Sequence, residues 1–243
     1  DFHSLVVDTN DEAHLIVGGH EAVSESFDGG RTWQEVPTLR NADAMGWAFG
    51  ATRVLVGGHP GMHVSEDGGR TFALRNAGLP ATDIHGIGSM GDTIYAASPM
   101  AGVLASTDGG EGWEIRRRTA GQLMGRMLVD PSDANHVVAP DMQAGAVESL
   151  DGGRTWKVLG GVRGAMWVSW DPADSRHLIV SGLGAAAETR DGGGTWSRLN
   201  IPAGAALVEM DPSSPTTLYA AIHRDGRAVV RVSRDGGKTW SAP

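Results

Sequence analysis

Ser26-Phe27-Asp28-Gly29-Gly30-Arg31-Thr32-Trp33 is the stretch that decides the fold. Asp-Gly-Gly supplies a side chain that caps its own backbone and two residues that tolerate positive φ. Apolar or alternating residues flank it, Ala22-Val23-Ser24 before and Thr32-Trp33 after, so the segment reads as a β-hairpin. It returns at Ser65–Phe72, Ser106–Trp113, Ser149–Trp156, Thr189–Trp196 and Ser233–Trp240. The aspartates Asp28, Asp67, Asp108, Asp151, Asp191 and Asp235 are 39, 41, 43, 40 and 44 positions apart. Repeats of that period belong to propellers and solenoids. These aspartates hold turns and are not read as catalytic groups or calcium ligands.

The repeat unit reads as four strands. In the first, strand A is Phe2 to Val7, a polar turn follows at Asp8-Thr9-Asn10-Asp11-Glu12, and strand B is His14 to Gly18. A bend at Gly19-His20 leads to strand C, Ala22 to Ser26, and the motif turns into strand D, Thr32 to Val36. Asp130-Pro131, Asp171-Pro172 and Asp211-Pro212 repeat the A–B turn, where Pro needs no ladder donor. The expected fold is all-β, a six-bladed β-propeller with four antiparallel strands per blade, a motif in each C–D hairpin and no helix beyond about two turns. Approximate blade limits are 1–40, 41–79, 80–120, 121–161, 162–202 and 203–243 of a single domain. Closure is expected from packing of the last blade on the first, with no strand exchanged. The motif tryptophans Trp33, Trp156, Trp196 and Trp240 are expected to be largely buried between blades.

Ser-x-Asp-x-Gly-x-Thr-Trp resembles the Asp-box, or bacterial neuraminidase (BNR) repeat, of sialidase-like propellers, sortilin-type receptors and photosystem assembly factors. The resemblance runs along the whole chain, and the His-bearing strands are also similar to secreted bacterial Asp-box proteins labelled glycosylhydrolase-like. It implies the fold and leaves the function open, because such propellers carry both enzymes and binding proteins.

Composition narrows the function. The 243 residues suffice for one closed β domain, and 36 glycines suit many tight turns. A net charge of −9 implies no nucleic-acid surface, and the run Arg116-Arg117-Arg118 reads as a solvated strand end. The absence of cysteine excludes disulfides, thiolate metal sites and cysteine nucleophiles. No apolar run reaches the ~18 residues of a membrane helix. The chain starts inside a strand pattern, at Asp1-Phe2-His3, which reads as a trimmed or processed end and accords with a secreted or periplasmic protein.

In a meandering propeller the A–B and C–D turns share one face, and the B–C bends and strand A starts share the other. The strand starts align as Asp1-Phe2-His3, Asp43-Ala44-Met45, Asp83-Ile84-His85, Gln122-Leu123-Met124, Gly164-Ala165-Met166 and Gly204-Ala205-Ala206. Their third positions ring the channel mouth, with Met124 displaced by one extra residue in blade 4. The bends add His20, His59, Met100, Met142 and His223, with Met62 and His63 following His59. Imidazole with thioether and no thiolate is a copper ligand set. His3, Met45, His85, Met124 and Met166 are therefore candidate copper ligands, with His20 and His59 beside them. Asp43 or Asp83 keeps zinc open. The competing reading is that Met fills an irregular channel and His hydrogen-bonds loops. His14, His136 and His177 open strand B on the motif face and carry no functional weight.

A sialidase needs an arginine triad and a Tyr nucleophile. Tyr95 and Tyr219, the only tyrosines, fall in strand B, so that machinery is not recognisable and no catalytic residue is assigned. Asp1, Asp43 and Asp83 recur at one face, which keeps a two-carboxylate glycosidase in view. Three readings stand: a copper-binding propeller, a protein- or glycan-binding scaffold on the same face, and a glycoside hydrolase.

Overall fold

The structure, a computed structural model, describes residues 2–8, 11, 13–224 and 227–243, with the side chains of His223 and Arg227 outside that description. Asp1, the His223 side chain and most of the first A–B turn, singled out above, therefore lie outside the described residues. Six sheets follow one another along the chain, and the described residues hold no helix beyond the single 3-10 turn Pro37–Leu39. Blade 1 is Phe2–Val7, Leu15–Gly19, Val23–Ser26 and Gln34–Glu35, paired in sequence order. The expected six-bladed all-β propeller is thus observed, with two departures.

In blade 6 three strands form the sheet, Ala205–Asp211, Ser214–Arg224 and Arg227–Ser233, and the expected fourth strand is a single bridge between Val232 and Ser241. In blade 4 the inner strand is split. Gly125–Arg126 pairs in parallel with Gly86 and Ile87 of blade 3, while Leu128–Asp130 and an isolated bridge from Leu123 to Asp141 pair within its own blade. A Cβ on Gly125 would sit 1.9 Å from the Met166 carbonyl oxygen, so only glycine fits this crossing, and its φ is +56°.

Each motif turn is built around its carboxylate. Asp28 Oδ1 accepts the N–H of Arg31 (2.9 Å) and Thr32 (2.8 Å), and Oδ2 accepts the Thr32 hydroxyl (2.7 Å). Ser26 Oγ donates to Asp28 Oδ1 (2.8 Å) and accepts the Gly30 N–H (2.8 Å). Gly29 and Gly30 take φ of +73° and +93°, so the residue pair is dictated by backbone conformation. The pattern recurs at Asp67, Asp151, Asp191 and Asp235. Blade 3 has Gly112 in place of the threonine, so Asp108 receives the Gly112 N–H but no threonine hydroxyl.

The apolar interior lies between blades. One group joins Leu5, Leu15 and Val17 of blade 1 to Trp47 and Val56 of blade 2 and to Leu207, Tyr219 and Val232 of blade 6, which closes the ring by packing. Four further groups fill the other blade interfaces. The motif tryptophans pack against these groups as expected, though partly exposed and not fully enclosed. Each sits beside an open turn, and its N–H stays anchored. Trp33, Trp113 and Trp156 donate to a glycine carbonyl of their own turn, whereas Trp196 and Trp240 reach Leu159 and Asn200 of the preceding blade. The deeply buried tryptophans are Trp47, Trp167 and Trp170, on inner strands.

The dismissed histidines His14, His136 and His177 form a repeated brace. Each imidazole stands between an Asp at the end of strand A (Asp8, Asp130, Asp171) and a Glu of strand C (Glu25, Glu148, Glu188).

Hydrogen bonds from the motif threonine hold Asp28, Asp151, Asp191 and Asp235 at about 2, below the usual carboxylate range. A carboxylate depressed on folding contributes stability that is full above its unfolded value of about 3.9 and is lost as pH falls through the folded value. The melting temperature should accordingly hold above pH ~5 and fall steeply between ~4 and ~2. Asp151→Asn should melt lower at neutral pH and show a smaller acid drop. Melts followed by circular dichroism that are flat from pH 4 to 2 would contradict this role.

Candidate metal centre

A bulge, two bends and the starts of strand A bring the rim groups together. In blade 1 the pairing of strands A and B shifts between Phe2 and Ser4, leaving His3 as the bulged residue. In blade 2 the same shift falls between Ala44 and Gly46, at Met45, and in blade 6 between Ala205 and Leu207, at Ala206. A bulge re-aims a side chain out of the ladder. These positions are structurally equivalent, as the alignment of strand starts requires. Asp43 pairs with His59 across the blade 2 ladder, and a Cβ on Gly58 would lie 1.6 Å from the Asp43 carbonyl oxygen, so glycine permits that approach. The Ile84 N–H donates to the Gly58 carbonyl (3.2 Å) and the His85 N–H to that of Ala97 (2.8 Å), which seats the start of blade 3 against the blade 2 bend.

The result is a row of alternating imidazoles and carboxylates across three blades. His3 Nε2 lies 3.0 Å from His20 Nε2 and 3.9 Å from Asp43 Oδ1. His20 Nδ1 stands 3.2 Å from Asp43 Oδ2, which also accepts a hydrogen bond from His59 Nδ1 at 2.9 Å. On the other side of the His59 ring, Nε2 lies 2.7 Å from Asp83 Oδ1, and His85 Nε2 lies 2.9 Å from the same oxygen. His3/His20/Asp43 and His59/Asp83/His85 each offer three ligand atoms within 4.8 Å of one another.

Several of these atoms lack ordinary partners. His3 Nδ1, Asp43 Oδ1 and Asp83 Oδ1 are shielded from solvent and make no hydrogen bond. Two imidazole nitrogens stand within 2.9 Å of Asp83 Oδ1, one from His59 and one from His85. Burial holds the His3 imidazole below its ordinary value, against the pull of Asp43, which favours the neutral ligand form. At His59 burial works against the charge, but the hydrogen bond to Asp43 and the charge of Asp83 outweigh it and raise the pKa. Burial likewise opposes the charge on Asp43, and the His59 hydrogen bond with the His3 and His20 charges overcomes it, holding the carboxyl low.

Of the sequence candidates, His3, His20, His59 and His85 are brought together, joined by Asp43 and Asp83, which the sequence marked as keeping zinc open. Met45 is buried at its bulge, and Met166 packs against the apolar group around Trp167. Met124 follows Leu123, which bridges Asp141, and its N–H is held on the Pro140 carbonyl at the end of blade 4's second strand. His63 is half-buried, with burial lowering its pKa. Tyr95 is buried, its hydroxyl donating to the Ala134 carbonyl, and Tyr219 is buried in blade 6.

A family profile for the BNR/Asp-box repeat matches residues 231–242, the sixth copy of the turn described above. The chain folds as a β-propeller whose turns carry the Asp-box pattern. No curated protein sequence matches it significantly. Among solved structures the propeller is similar to the GH74 xyloglucanase of Xanthomonas campestris (TM-score 0.67, 19% identity), covering 99% of this chain and 45% of that one. It therefore spans less than half the length of that enzyme. It is also similar to a chain of a nidogen/laminin complex (TM-score 0.68, 16% identity, 95% and 93% covered). A third is YCF48 bound to a D1 peptide (TM-score 0.59, 18% identity, 96% and 79% covered). Similarity at this level shows the fold alone. It spans a xyloglucanase, a peptide-bound protein and a protein complex, so function rests on the site. No helix of the described residues is long and apolar enough to cross a membrane.

One charged group of the propeller escaped the sequence reading. Glu209, on the inner strand of blade 6, is only 2% exposed. It receives the Trp167 N–H (2.6 Å) and pairs with the Arg126 guanidinium from the junction of blades 3 and 4. Burial pushes the Glu209 carboxyl up, against the pull of Arg126. The signal was a lone acid in the apolar run Leu207-Val208-Glu209-Met210, paired with an equally isolated arginine in Met124-Gly125-Arg126-Met127. A cavity of about 420 Å³ opens on the motif face, with Arg126, Trp47 and Trp170 in its wall, and none of the rim histidines lines it. Removing one partner strands a buried charge, so Arg126→Ala should cost about 3–5 kcal/mol in chemical denaturation. A loss below ~1 kcal/mol would show that solvent reaches the carboxylate.

Proposed function

We propose that this propeller is a binding protein that takes up a divalent transition-metal ion at the channel mouth, with copper the preferred ion. The observation that carries this is Asp83 Oδ1, shielded and without a hydrogen bond while His59 Nε2 and His85 Nε2 converge on it. Two imidazole nitrogens and a carboxylate oxygen in contact form a donor arrangement that a cation can complete by displacing the imidazole protons. Two imidazoles and a carboxylate suit borderline divalent ions, zinc among them, and the general affinity order places Cu²⁺ first. This donor set supports Cu²⁺ over Cu⁺, because the thioethers expected to favour the softer ion are accounted for by packing and backbone position.

A hydrolase reading has less to rest on. A glycosidase needs one carboxyl held protonated near neutral pH. Asp43 is held in the opposite direction, and the raised carboxyl of Glu209 is enclosed by Arg126 and Trp167.

Titration calorimetry with CuCl₂ and ZnCl₂ tests the proposal against a His3→Ala/His85→Ala double variant that removes one ligand from each group. Wild type should bind Cu²⁺ more tightly than Zn²⁺, the variant should lose more than about 100-fold in affinity, and uptake should decline as pH drops below ~6.5, where protons compete for imidazole. If wild type binds neither ion, or the folded variant binds equally well, the metal reading fails and a protein- or glycan-binding scaffold replaces it.

A further inference from the structure

We infer that the channel mouth holds two metal ions, not one, and that Asp43 couples them by serving one group as a ligand and the other as the carboxylate that orients its histidine. The inference rests on the metal-binding reading and concerns how many ions bind and how they influence one another.

The ligand atoms fall into two groups that share no residue, His3/His20/Asp43 and His59/Asp83/His85. What joins them is the hydrogen bond from His59 Nδ1 to Asp43 Oδ2 at 2.9 Å. A carboxylate only accepts, so Nδ1 of His59 carries a proton, and in the neutral form that a metal takes the lone pair lies on Nε2. That nitrogen faces Asp83 Oδ1 at 2.7 Å. Imidazoles that ligate metals commonly donate their other N–H to a carboxylate, which fixes the tautomer and raises basicity. Asp43 supplies that partner to His59. Its second oxygen, Oδ1, is shielded, has no hydrogen bond and faces His3 Nε2 at 3.9 Å, which leaves it available as a ligand in the first group.

One carboxylate thus has two duties that compete. A cation on Asp43 Oδ1 draws charge from Oδ2, weakens the hydrogen bond to His59 and makes Nε2 a poorer ligand. Repulsion between neighbouring cations acts in the same direction. The two ions should therefore bind in separate steps, the second more weakly.

Native mass spectrometry and calorimetry with CuCl₂ read the number of ions and the steps, and electron paramagnetic resonance reads their proximity. Wild type should take up two Cu²⁺ in steps at least ~10-fold apart and show a dipole-coupled spectrum when full. Asp43→Asn should hold one Cu²⁺, uncoupled, at His59/Asp83/His85 with affinity reduced ~10–100-fold, whereas a purely structural loss would show as a lowered melting temperature of the metal-free protein. Asp83→Asn should keep one ion at the first group. A wild type that binds a single ion, or an Asp43→Asn protein whose remaining site keeps full affinity, overturns the coupling while leaving metal binding intact. A wild type that binds none overturns both.

Discussion

The hydrogen bonds that each Asp-box carboxylate collects from its own turn set the rest of the structure. A single side chain satisfies the N–H groups of a turn whose glycines lie at positive φ, and so fixes the C–D hairpin at one edge of every blade. With the outer hairpin fixed, the alternation of a meander sends every B–C bend and every strand A start to the opposite face. The site is a consequence of that alternation. Residues such as His3, His59 and His85, far apart in sequence, arrive at one rim because the turns on the other face are repeated.

Packing supplies the rigidity that the rim depends on. The apolar side chains are shared across blade interfaces, so each blade is positioned by both neighbours. Polar links reinforce this along the inner strands. Trp47 donates to Ser4 Oγ, which donates in turn to the Ala44 carbonyl one residue from Asp43. A carboxylate held this way can keep an unpartnered oxygen aimed at His3 without relaxing toward solvent. That oxygen costs free energy in the metal-free protein, and functional sites are where such costs concentrate.

Much of the architecture was legible in the sequence, because a turn that needs Asp, two glycines and a Thr leaves its requirement in the residues. The strand order followed from it, as did the face on which His3 and His85 would meet. The limits have physical causes. The split inner strand of blade 4 follows from a close crossing at Gly125, which no periodicity announces. The tryptophans looked like interior residues, yet a side chain next to an open turn is buried on one side only. Glu209 and Arg126 pair across the ring, and such a pairing leaves only two isolated charges to notice. The donor set shifted for a similar reason. Sequence alignment gave Met and His equal weight at the rim, while the structure brings imidazoles and carboxylates into contact, with Asp43 between His20 and His59.

The central claim is that the channel mouth is a metal site made of nitrogen and oxygen. Extended X-ray absorption fine structure of the copper-loaded propeller tests it most directly. The account predicts a first shell of nitrogen and oxygen scatterers with the outer-shell signature of imidazole rings and no sulfur shell. A sulfur scatterer in the first shell, or copper held without imidazole, would contradict it.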